Sequence, residues 1–383
     1  MAGAEPLVGL IVIVASVLYA NRTPFFRRLF HWLPVPLWCY LLPMIAVTLG
    51  WLPANAAIYS TLTDHLLPVT LGLLLLDVHL PSVWAIGRRG LLAMGVGMMG
   101  VVLGLPLVAW SLRHALPAEA WKGVGTLAAT WTGGSMNLLA LRGILQTPEQ
   151  MFTALMLTDA VIAYSWMALL IAVSSRAPSI DRWLRATPLA PVSSPSSMIP
   201  PPAPCTLRSA VWCVALALGA TLLARGLASR LPSTSLITSA NGWTVLFVTT
   251  LALSAACWRP VQRLGRCATA IGTPGLYLVL AAMGAQATLQ GFRSAPLWLA
   301  IGTAGAVFHG CLMLAAGRWL RIPLGLLATA SQANFGGVIS APLVGAVYHE
   351  RLVPVGLCLA LLGNALGTYL GLLSASLSRL ILT

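Results

Sequence analysis

Two short polar segments interrupt an apolar chain at matching places, Thr132-Gly133-Gly134-Ser135-Met136-Asn137 and Ser331-Gln332-Ala333-Asn334-Phe335-Gly336-Gly337. Their hydroxyls and carboxamides can hold a carboxylate or sugar through donors and a dehydrated Na+ through oxygens, and half-helix N-termini add positive potential for an anion. Backbone that leaves a helix inside a bilayer persists only where protein or a water-lined cavity satisfies its amides. Paired interruptions of this kind point to a carrier's binding site. The substrate-binding candidates are Thr132, Gly133, Gly134, Ser135 and Asn137 in the first segment, and Gln332, Asn334, Gly336, Gly337 and Ser340 in and beside the second. Glycine pairs alone would indicate only close helix packing. Their recurrence with Asn and with Thr or Gln favours binding.

Asp159 lies well inside the apolar helix that follows the first segment, where an ionised carboxylate costs several kcal/mol unless paired or hydrated, about 3 kcal/mol at least. It is read as a proton acceptor or cation ligand, with Thr158 beside it. Asn364, with Thr368 one turn on, is its counterpart after the second segment, at nearly the same spacing from the glycine pair. The competing reading is a protonated aspartate clamping two helices. Asp77, near a span end and close to Arg88 and Arg89, reads as a surface or snorkelling group. His309, inside a span with no second ligand at helical spacing, reads as a core histidine before a proton relay.

Signatures of other chemistry are weak. Gly95-Val96-Gly97-Met98-Met99-Gly100 matches the dinucleotide fingerprint but lies inside an apolar span, so it is a packing face. No phosphate-binding loop exists, and Lys122 is the one lysine. Gly134-Ser135 lacks the second glycine of a nucleophile elbow, since Asn137 stands there. No enzyme is expected, no metal-ligand constellation is visible, and no cofactor is implied beyond Na+ or H+ as a coupling ion.

The elements that must position these residues are membrane helices. Hydrophobic residues make up 58% of the 383 residues and charged ones 8%, against roughly 25% charged in a soluble domain. Mean hydropathy is +0.88. The formal charge of +14 does not point to nucleic acid, because the basic residues stand singly or in twos and threes between apolar runs. The seven cysteines show no C-x-x-C spacing and read as buried thiols packing as small hydrophobes. Leu7–Ala20 reads as a first membrane helix and not a removed signal peptide.

Spans are predicted near 5–20, 36–52, 61–80, 90–112, 151–173, 208–229, 242–257, 272–290, 296–317 and 352–376. The stretches 122–147 and 324–349, which carry the glycine pairs, are either re-entrant hairpins or broken crossing helices. Arginine placement favours hairpins. With five crossings per half the second half is inverted, and about two thirds of the 22 basic residues then fall on one side, as the positive-inside rule requires. The expected fold is an all-α polytopic membrane protein of two inverted repeats of five transmembrane helices, each with one glycine-rich hairpin. Residues 1–173 form the first repeat, 174–207 a cytoplasmic Pro/Ser linker and 208–383 the second repeat.

Ala129-Thr130-Trp131-Thr132-Gly133-Gly134-Ser135-Met136-Asn137, then an Asp-bearing helix, a Pro/Ser linker and Ala330-Ser331-Gln332-Ala333-Asn334-Phe335-Gly336-Gly337, resembles the YjcL-like family of integral membrane proteins. The family is catalogued as a domain of unknown function. It is distantly similar to inverted-repeat carriers such as the glutamate–sodium, bile acid–sodium and citrate–sodium symporters, whose substrates do not carry over. Members commonly follow the second motif with Pro-Ala-Thr-Ala, where this chain has Val338-Ile339-Ser340-Ala341, and have Asp-Asn where it has Asp159-Ala160.

The expected function is secondary transport across a bacterial cytoplasmic membrane. A small organic anion is the first candidate, with amino acids and neutral metabolites as alternatives. The expected partners are the lipid bilayer, the small-molecule solute and, by analogy alone, a second copy in a homodimer. The rival readings are a non-transporting holin-like or envelope-regulatory protein and a channel.

Overall fold

The computed structural model describes residues 5–26, 29–30, 33–78, 86–187 and 205–382; the side chains of residues 290 and 291 lie outside that description. The described residues are helical, with no strand among them. In chain order the helices are α1 (Glu5–Arg22), α2 (Val35–Thr48), α3 (Ala57–Leu75), α4 (Gly87–Ser111), α5 (Ala120–Gly133), α6 (Ser135–Leu145), α7 (Glu149–Val173) and α8 (Ala177–Leu184). There follow α9 (Leu207–Ala228), α10 (Ala240–Ala256), α11 (Gly265–Gln286), α12 (Ala295–Leu320), α13 (Leu324–Phe335), α14 (Gly337–Tyr348) and α15 (Leu352–Leu382).

Among the described residues, 8 helices are long and apolar enough to cross a membrane. Two of the predicted spans, α2 and α10, are apolar helices of 14 and 17 residues and fall short of that length. Leu218, Leu222 and Leu223 of α9 and Val8, Ile11 and Val12 of α1 are exposed. Apolar surface on this scale is matched by lipid.

The same order of elements occurs twice: three helices, a long helix, a pair of short helices split at glycine, and another long helix. The first three helices of both halves pack together, with α11 against α2 and α3, and α3 against α9 and α10. Glycine permits backbone contact there, since a Cβ on Gly284 of α11 would stand 2.0 Å from the Tyr40 carbonyl oxygen of α2. The remaining helices form a second group in which α15 packs against α5, α4 and α14, and α12 against α4.

Both split pairs double back. Thr126 Oγ1 on α5 lies 2.9 Å from Thr147 Oγ1, just beyond the end of α6. A Cβ on Gly325, in the first turn of α13, would stand 3.0 Å from the Tyr348 Cβ at the end of α14.

The structure corrects the cysteine expectation. Cys205 and Cys267 form a disulfide with Cα atoms 4.9 Å apart, and Cys257 and Cys311 are exposed; Cys39, Cys213 and Cys358 are buried. Spacing could not show this pairing, because only the packing of the α9 entry against α11 brings positions 62 residues apart together. Asp77 is also not a snorkelling group. It is half-buried, accepts a hydrogen bond from Thr269 Oγ1 at 2.8 Å and packs against Gly265.

The interdomain segment expected as solvated linker begins with helix. Asp181 of α8 accepts the Leu324 backbone N–H at 2.7 Å, satisfying an end group of α13. The rest of that segment, 188–204, lies outside the described residues.

Candidate functional site

The two breaks have a local cause. Gly134 leaves the helix with φ 78° and ψ 176°, a conformation essentially confined to glycine, and its carbonyl accepts the Asn137 N–H at 3.0 Å to open α6. At the second break Gly336 closes α13, and Gly337, with φ 72°, starts α14.

Asn137 ties the first break to α15. Its Nδ2 donates to the Gly133 carbonyl at 2.6 Å and to the Asn364 carbonyl at 3.2 Å, while Thr368 Oγ1 donates to its Oδ1 at 2.6 Å. The contact depends on absent side chains, because a Cβ on Gly133 would stand 2.5 Å from the Gly363 carbonyl oxygen and 2.8 Å from the Gly367 Cα. A Cβ on Gly134 would lie 3.4 Å from Asn364 Oδ1. Thr132 turns inward on its own helix and donates to the Ala128 carbonyl at 2.8 Å.

Asp159 reaches the first pair from α7. Its Oδ1 accepts from Trp131 Nε1 at 3.0 Å and from Thr130 Oγ1 at 3.4 Å. It is half-buried. The ion pairs among the described residues are Lys122–Glu119 and Arg142–Glu149, so no cation neutralises it. No hydrogen bond joins Asp159 to Asn364. The two instead flank the first pair.

At the second break Phe335 is enclosed by aromatic rings, with centroids 4.5 Å from Trp131, 5.5 Å from Trp166 and 5.0 Å from His309. The Trp131–Phe335 contact joins the two tips. Ser331 Oγ accepts from Trp166 Nε1 at 2.9 Å and lies 2.9 Å from His309 Nε2, while His309 Nδ1 lies 3.0 Å from the Gly97 carbonyl. A tryptophan N–H can only donate and a carbonyl only accept. His309 therefore carries a proton on Nδ1, and with the ring neutral the Ser331 hydroxyl donates to Nε2. His309 is a core histidine, seated where a Cβ on Gly97 or Gly100 would come within 3.1 or 3.2 Å of it.

The amides of the second tip are less completely used. Gln332 Nε2 donates to Ser340 Oγ at 3.0 Å, and Asn334 Nδ2 donates to the Ala330 carbonyl at 2.9 Å. Gln332 Oε1, Asn334 Oδ1 and Thr158 Oγ1 are buried with no hydrogen-bond partner. Neutral oxygens of this type are ligands that a hard cation takes. Gly134, Ser135 and Met136 are half-buried and Gly336 is exposed, so backbone at both tips is accessible. Among the described residues no group of three or more His, Cys, Asp or Glu could hold a metal.

The sequence places this geometry in a known family. A family model described as "Protein of unknown function (DUF819)" matches residues 9–380. The chain belongs to the DUF819 family. It is similar to the uncharacterized membrane protein YjcL of Bacillus subtilis (strain 168), 25% identical over 349 residues that cover 86% of each chain. This DUF819 protein is thus an integral membrane protein of many apolar helices.

Trp131, Trp166 and Phe335 connect the two tips, and Thr130 contacts Asp159, although none of the four is singled out by the sequence; Ser331 is read there as one of the hydroxyls of the second segment. One signal was available, since Trp131 and Phe335 each stand within two residues of a glycine pair. Trp166 lies about two turns beyond Asp159, on the same face of α7, but which segment it meets depends on packing.

Proposed function

We propose that the protein is a secondary active transporter that moves a small organic solute across the cytoplasmic membrane, driven by Na+ or H+. On this reading the split pairs are re-entrant hairpins of two inverted repeats, entering from opposite faces, and the solute binds between their tips near the midplane. An organic anion is the first candidate, because half-helix N-termini favour negative charge. Asp159 and Thr158, with Asn364 and Thr368 opposite, respond to the coupling ion. No reaction and no cofactor are assigned, and a homodimer is proposed by analogy with carriers of the symporter type.

The observation that carries the reading is the meeting of two doubled-back, glycine-tipped pairs at Trp131 and Phe335, with an unneutralised aspartate against the first. A non-transporting envelope regulator would have dry, closed tips. The accessible backbone at Gly134 and Gly336 favours a carrier over that alternative.

The test is a screen of metabolites for thermal stabilisation of the purified protein with and without Na+, followed by uptake into liposomes. A solute whose binding or uptake depends on the ion, and on Asp159 through an Asp159→Asn variant, is expected. If no metabolite moves the melting point and Asp159→Asn changes nothing, the transporter reading fails.

A further inference from the structure

A second polar place lies eight residues along α6 from the tip at Gly134, about 12 Å by the helix rise. Here a cavity of about 320 Å³ opens between α3, α6, α10, α11 and the loop into α7. Of the 8 acidic residues in this strongly basic chain, Asp64 and Glu149 both line it.

Their neighbours leave them unequal. Glu149 is ion-paired with Arg142, which also lies over the Phe152 ring at 5.1 Å. Asp64 has no ion pair, and its side chain makes no hydrogen bond among the described residues. Arg225 contacts this stretch from α9, but through the Asp64 backbone carbonyl, at 2.8 Å, and through His65.

The position of Asp64 follows from the chain chemistry. Pro68 lacks an N–H, so the Asp64 carbonyl four residues earlier loses its helical donor. The helix widens into a π turn over Leu62–Leu66, a distortion enriched at functional sites, and the freed carbonyl accepts from Arg225 instead. Thr63 and Asp64, carried on that turn, border the cavity.

The lining selects against anions and bare metal ions. Among the lining residues two carboxylates stand against one guanidinium, Arg142, which is paired with Glu149, while Arg225 reaches the Asp64 backbone from outside the lining. The volume is at the small end of organic-ligand sites, and Leu67, Val245 and Met283 supply apolar contact that a hydrated metal ion cannot use. The carboxamides of Gln146, Asn241 and Gln286 offer hydrogen bonds to a polar tail.

We propose that this cavity binds the primary ammonium group of a small organic solute, with Asp64 as its counter-ion. The site shares no lining residue with the two tips, so it stands independently of the transport reading.

Ethanolamine, acetate and glycerol are suitable probes, added to the full-length protein in detergent and followed by calorimetry. Ethanolamine is expected to bind and acetate and glycerol are not. Asp64→Asn should weaken ethanolamine binding roughly tenfold or more, the scale of a lost charge-assisted contact. Thr63→Phe, which fills the cavity and keeps every charge, should remove binding as well. The proposal is overturned if ethanolamine does not bind, if acetate or glycerol binds as tightly, or if both variants fold and bind ethanolamine like the parent. Because the readout is binding at this cavity, a failure to transport in liposomes leaves it standing, and its own failure leaves the tips untouched.

Discussion

The two glycine-tipped pairs share their punctuation and differ in how their polar groups are used. In the first, Asn137 spends its amide on Gly133, Asn364 and Thr368, and glycines on both sides let α5 lie on the backbone of α15. In the second, Ser331 is bound to Trp166 and His309, yet Gln332 Oε1 and Asn334 Oδ1 have no partner and Gly336 is exposed. The first tip is therefore anchored by satisfied hydrogen bonds, and the second keeps spare acceptors. A buried acceptor without a donor costs about 1–3 kcal/mol, which is free energy that binding of a donor or cation recovers. The two tips thus differ in where unused acceptors lie: on the second tip they are its own Gln332 and Asn334, whereas beside the first only Thr158 of α7 keeps one.

Glycine substitution should give the largest separation. Gly133→Val drives a side chain into backbone atoms of α15 and should destabilise by about 3 kcal/mol or more. A Cβ on Gly337 meets nothing within 4 Å, so Gly337→Val is strained chiefly by the φ of 72°, an effect of about 1–2 kcal/mol. Thermal midpoints in detergent measure both, and equal losses would remove the contrast.

A smaller effect is expected at Thr368. Thr368→Val removes the donor to Asn137 Oδ1 and leaves that oxygen buried, a loss of about 2 kcal/mol. Its midpoint should fall, and an unchanged value would mean that the first tip is not held by this bond.

The smallest shift belongs to Thr158→Val. The hydroxyl has no partner, so an isosteric replacement should leave the ion-free midpoint within about 1 kcal/mol of the parent or raise it. Any stabilisation by Na+ should diminish in this variant. A clear destabilisation without ions would show that Thr158 already has a use in the resting structure.

Part of this organisation was open to reading residue by residue. Long apolar runs such as Leu352–Leu382 commit the chain to helices in a bilayer, and the glycine pairs break helices where Gly134 and Gly337 take φ of 78° and 72°, a region in which other residues are strained. Long-range partners were closed to such reading. Asp159 and Asn364 occupy equivalent places after their glycine pairs, which suggested a mutual relation. In the folded chain both turn to the first pair, because α7 and α15 lie on either side of it. The Cys205–Cys267 bond escaped for the same reason.

The sequence by itself determined a membrane protein of helices with two polar breaks, since hydropathy and backbone sterics act over a few residues. Only the tertiary structure decided that the breaks double back, that Trp131 meets Phe335 and that Asp64 lines a cavity with Glu149. Those contacts join residues far apart in the chain, and they are selected by the close packing of small residues between helices, which no local pattern encodes.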